Sequence, residues 1–136
     1  MPQLTGTDTE RMEGRFTLQE ARGLMSQVLR HAEVYVDLRA DFAEASAAVR
    51  EGNPAAVGGV PELKSLEARL HEELEWFRHQ GIEVKGFAPL LIDFPAIGDG
   101  QEVYLCWLEG EQELAWYHPV ELGFMGRRRI DRLAAV

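Results

Sequence analysis

From Leu18 onward the apolar residues fall three and four apart: Leu18, Ala21, Met25, Val28, Ala32, Tyr35, Phe42 and Val49. That spacing keeps them on one face of an α-helix. Arg39 and Ser46 interrupt the seam, and Leu29, Val36 and Ala43 widen it on one side. Thr17 followed by Glu20 has the form of a capping box, which sets the helix start. Gly52-Asn53-Pro54 supplies the stop, and the helix between is about 52 Å long. A second stripe, Leu63, Leu66, Leu70, Leu74 and Phe77, follows Pro61, a residue suited to a first helical turn. It ends near Gly81 after about 30 Å. The two stripes predict an antiparallel helical hairpin over residues 17–81.

After Ile82 the period changes. Short runs at 83–86, 90–94, 102–108 and 113–117 are rich in β-branched and aromatic residues, and Pro95, Gly98-Asp99-Gly100 and Gly110 separate them. The run 103–108 is apolar on both faces, with Val103, Leu105 and Trp107 on one and Tyr104, Cys106 and Leu108 on the other. That is the pattern of a strand covered on both sides. The expected fold is therefore α+β: a long helical hairpin, then a small, mainly antiparallel sheet of three or four strands over 82–118. A loop and basic tail occupy 119–136. Residues 1–15 are polar and aperiodic and read as a flexible leader, with 16–136 as a single domain.

Composition changes this picture little. The chain has 136 residues, 46% hydrophobic and 27% charged, within the range of one ordinary globular domain. The net charge of −9 repels phosphate backbones and argues against nucleic acid as a partner, despite the arginines between Arg127 and Arg132. A single cysteine excludes an internal disulfide. No apolar run approaches the roughly 20 residues of a membrane span. The N-terminus lacks a basic start followed by an apolar stretch, so no secretory signal is expected and the cytoplasm is the expected compartment. Because the first helix outruns the second, part of its seam needs other cover. A homodimer through this helix is the expected assembly.

The last third carries the candidate chemistry. The pieces Phe16-Thr17-Leu18 with Glu20-Ala21, Gly81-Ile82-Glu83-Val84-Lys85 and Asp93-Phe94-Pro95-Ala96 form an ordered set with Val103-Tyr104-Leu105-Cys106-Trp107, Gly110-Glu111, Trp116-Tyr117-His118 and Gly123-Phe124-x-Gly126-Arg127. In this set the chain resembles the bacterial domain-of-unknown-function family 2203 over nearly all of its length after the leader. Leu90 stands where that family often has glycine. The resemblance implies a shared fold and carries no activity with it.

Asp93 lies among Leu90, Leu91, Ile92 and Phe94, so its carboxylate is expected to be partly buried and to need a cation, from Lys85 or Arg127. One reading is a structural ion pair within a non-enzymatic interaction protein, whose partner is a second copy or another protein. The other is a binding site, possible hydrolysis included, between the sheet and the hairpin. In one form Asp93, Glu111 and His118 bind a divalent metal. In the other, Lys85, His118 and Arg127 hold a small anionic ligand beside Asp93, with Trp107 or Trp116 stacking on it. His71, Glu75 and His79 share one face of the second helix but lie off its apolar stripe, as a solvated charged face. Trp76 also lies off that stripe and is expected to contact the sheet or a partner. Cys106 reads as a buried, inert thiol and His31 as a packing or surface residue. No nucleophile elbow, phosphate-cradling loop or dinucleotide fingerprint is present.

Overall fold

The computed structural model describes residues 14–53 and 58–136. The expected leader falls almost wholly outside them, as does the middle of the loop expected after the first helix. Among the described residues there are two long helices, α1 (Leu18–Arg50) and α2 (Gly59–His79). A five-stranded antiparallel sheet follows, in the order β1 (Glu83–Phe87), β2 (Leu90–Gly98), β3 (Gln101–Leu108), β4 (Trp116–Pro119) and β5 (Arg128–Arg129). The fold is α+β. No described helix is long and apolar enough to cross a membrane. The chain divides into two compact units, one of them Leu29–Trp76 and the other the residues on either side of that segment.

The helical unit has a small core of Leu38, Ala45 and Leu66, with Phe42, Leu63 and Leu70 packed against it. The seam that Arg39 and Ser46 interrupt is carried past both by Leu38 and Ala45. Each lies one position earlier, about 100° round the helix, so the buried stripe drifts sideways rather than stopping. The large hydrophobics of α1 left exposed are Leu29 and Val34. His31 has no acidic partner at helical spacing but finds one across the hairpin, its Nδ1 lying 2.8 Å from Glu73 Oε1. Its ring stacks on Trp76 at 3.9 Å, which gives that tryptophan a partner within this unit. His71 is exposed, as is His79 in the other unit, in keeping with a solvated face.

The sheet unit begins with the expected capping box. Thr17 Oγ1 accepts from the Glu20 amide at 3.0 Å, and Glu20 Oε1 accepts from the Thr17 amide at 2.9 Å. α2 closes on Gly81, whose φ of 88° suits glycine, with the Ile82 amide donating to the Phe77 carbonyl. One face of the sheet is apolar: Ile92, Phe94, Leu105, Trp107 and Tyr117 are buried there, and Phe16 packs edge-on against Phe94 at 5.2 Å.

Two details depart from expectation. Pro95 does not end β2, which runs on to Gly98. β1 pairs only as far as Asp93, and beyond it the Pro95 carbonyl accepts from the Phe16 amide at 2.7 Å. The missing proline N–H faces this side too, so no ladder bond is lost. The basic tail, expected as loop, supplies β5, where Arg128 pairs with Tyr117 and Arg129 with Trp116. The sheet therefore has five strands rather than three or four.

Candidate metal centre

The second face of the sheet is polar, and register explains why. Asp99 and Gly100 form a two-residue turn with φ of 50° and 81°, both in the left-handed region that a type I′ hairpin needs. That turn sets Gly98 opposite Gln101 and, five residues back along each strand, Asp93 opposite Cys106. Glu83 pairs with Asp93, Cys106 with Trp116 and Trp116 with Arg129, so one row of residues crosses all five strands. Tyr104 and His118 pair in the next row. The face is thus lined by Glu83, Lys85, Asp93, Tyr104, Cys106 and His118, opposite the face that receives Phe16.

Asp93 and His118 are 1% and 3% exposed, and Cys106 is fully buried. Lys85 Nζ donates to Asp93 Oδ2 at 3.1 Å, while His118 Nε2 lies 3.2 Å from the same oxygen. His118 Nδ1 is 2.9 Å from the Pro119 carbonyl, which can only accept, so Nδ1 carries a proton. That leaves Nε2 facing Asp93 Oδ2. Asp93 Oδ1 is buried and accepts no hydrogen bond. Oxygen, nitrogen and sulfur ligand atoms from Asp93, His118 and Cys106 all lie within 4.8 Å of one another.

Charge tunes the surrounding groups. Burial, together with the charge of Asp93, pushes the Cys106 thiol up to about 12, and Arg127 offsets only part of this. Burial alone would lower Lys85, but the Asp93 carboxylate that accepts its hydrogen bond outweighs it and raises the ammonium above its usual value. Burial and the Glu83 carboxylate raise Tyr104, whose hydroxyl donates to Glu83 at 3.1 Å. The Tyr104 ring also lies under the Lys85 ammonium, 3.9 Å from ring centre to Nζ. Glu83 and Tyr104 in turn line a shallow cleft of about 380 Å³ that reaches Val120 and Gly81.

The other sequence candidates fall elsewhere. Glu111 is not beside Asp93. Its two oxygens take both ends of the Arg127 guanidinium, at 2.7 and 2.8 Å, and one also accepts from the Leu108 amide. Arg127 is spent on Glu111 and on the Cys106 carbonyl at 3.1 Å, so Lys85 alone of the two candidate cations reaches Asp93. Burial would lower Arg127, and its bond to Glu111 overcomes this and raises it. Trp116 lies under Arg127 and Arg129, at 5.0 and 5.4 Å. Trp107 follows Cys106 in an extended strand and so points to the opposite face, where its indole donates to the Glu111 carbonyl. The lining contributed by Trp107 is thereby lost, and Cys106 joins Asp93 and His118 in place of Glu111. The hairpin register set by Asp99-Gly100 is the signal that finds this cysteine.

Comparison with curated proteins and with solved structures gives no match. The family described as "Uncharacterized conserved protein (DUF2203)" matches residues 15–130, and the chain belongs to that family.

Proposed function

We propose that this chain binds a divalent transition metal through Asp93, Cys106 and His118. The observation that supports the reading is the convergence of three buried ligand atoms within 4.8 Å. Two further features fit it. The bond from His118 Nδ1 to the Pro119 carbonyl orients the ring and leaves Nε2 for a metal, as outer-shell partners of metal-bound histidines do. The bare Asp93 Oδ1 gains a partner once an ion is present. The Cys106 thiol, pushed up to about 12, gives its proton to water when a bound ion stabilises the thiolate. Sulfur, nitrogen and oxygen ligands together suit zinc far better than magnesium or calcium, and three of them leave a position open to water or another ligand.

Calorimetric titration of chelator-treated protein with zinc tests this reading. About one ion binds per chain and raises the melting temperature by mass action. Cys106→Ala and His118→Ala each abolish the effect. Absence of binding, or binding that survives both substitutions, overturns the assignment.

A second reading, pairing of two chains through α1, has the exposed Leu29 and Val34 behind it. Sedimentation velocity at micromolar concentration decides it. A two-chain mass that Leu29→Lys with Val34→Lys reduces to one supports the pairing, and a one-chain mass for the unaltered protein removes it.

A further inference from the structure

We propose that Lys85 is a built-in competitor for the metal: its ammonium holds the cation position at Asp93 and must move to Glu83 before a divalent ion can enter. The proposal rests on the metal reading of Asp93, Cys106 and His118 and identifies what sets the affinity of that site.

The geometry carries it. Lys85 Nζ lies 3.1 Å from Asp93 Oδ2, the same oxygen that His118 Nε2 faces at 3.2 Å. A divalent ion bound by that carboxylate would share it with an ammonium. Two like charges on one buried oxygen repel strongly, because little water lies between them to screen the field.

An alternative seat for the ammonium is already in place. Glu83 Oε1 is 3.6 Å from Nζ, and the Glu83 side chain is 45% exposed against 2% for Asp93. Tyr104 holds that carboxylate with its hydroxyl and offers its ring to the ammonium. The lysine stem is flexible and 36% exposed. A short swing therefore moves the charge from the buried carboxylate to the solvent-facing one, without leaving either charge bare. Glu83 also lines the cleft that Tyr104 borders, so the receiving carboxylate faces solvent.

Zinc titrations of four full-length proteins test the proposal: the unaltered chain, Lys85→Met, Lys85→Arg and Glu83→Gln. Lys85→Met removes the competing charge and tightens zinc binding by about tenfold or more. Lys85→Arg keeps the charge and stays close to the unaltered affinity. Glu83→Gln removes the receiving carboxylate and weakens binding. Thermal melts in chelator report folding separately: Lys85→Met melts lower than the unaltered chain without metal and gains more on adding zinc. If Lys85→Met binds no tighter than the unaltered chain while Cys106→Ala still abolishes binding, the competitor role falls and the metal reading stands. If neither the unaltered chain nor Lys85→Met binds zinc, both fall. Binding by Lys85→Met alone carries the competitor role and overturns the reading of the unaltered chain as a metal protein. Should Lys85→Met not fold, equal zinc affinity for Glu83→Gln and the unaltered chain overturns the exchange.

Discussion

Two ionic clusters share one face of the sheet, and they are built on opposite terms. Around Arg127 the charges pair: both ends of the guanidinium lie on the two oxygens of Glu111, one end also reaches a carbonyl, Trp116 and Phe124 lie beneath, and the buried Nε is the atom left without a hydrogen bond. Around Asp93, Lys85 Nζ and His118 Nε2 crowd one oxygen while the other goes without a hydrogen bond. A closed cluster of the first kind fixes the tail segment to the sheet and has no room for a further ion. The second kind leaves a buried carboxylate oxygen without a hydrogen bond, and that acceptor is what the proposed metal would use.

The comparison breaks or sharpens under three changes. The largest effect belongs to Arg127→Met. It strands a largely buried carboxylate and lowers stability to urea by about 2–3 kcal/mol, less than for a fully buried pair because both partners keep some exposure to water. Zinc affinity should fall modestly, because the Cys106 thiol loses the cation that holds it down. Asp93→Asn follows, costing about 1–2 kcal/mol without metal, since an amide keeps the shape and part of the hydrogen bonding, yet zinc binding disappears. Were Asp93→Asn the more damaging of the two to folding, the Asp93 cluster would be the structural joint and the contrast would reverse.

The smallest effect is the pH dependence of Lys85. Its ammonium is raised above 10.5 in the folded chain by Asp93, so it stabilises the fold fully below that pH and the benefit is lost as pH rises through the raised value. The stability difference between the unaltered chain and Lys85→Met, from urea melts at several pH values, should hold steady to about pH 10 and shrink above it.

Much of the fold was legible because short-range chemistry decides it. Thr17 and Glu20 cap α1 whatever lies beyond them, and Gly52 and Gly81 take the positive φ that ends each helix. The seam was harder. Arg39 and Ser46 look like breaks on a strict heptad, but a helix of 3.6 residues per turn drifts, and Leu38 and Ala45 take over. Pro95 reads as a turn until the end of β1 is known, and the Arg128–Arg129 strand has no hydrophobic pattern at all, since only pairing with β4 makes it a strand. Within the site, Asp93, His118 and Lys85 were legible as charged residues in apolar surroundings. Cys106 comes beside Asp93 where Glu111 was expected, and finding it takes counting back from the Asp99-Gly100 turn along both strands rather than reading the spacing within one run.

The margins of the sheet bear on how the protein behaves when crowded. At one edge β1 is short and its register slips between Val84 and Gly86, so a neighbouring strand would lose its ladder there. At the other edge β5 is two exposed arginines long, too brief and too charged to template another chain. Both flanks thus resist growth of the sheet by strand addition.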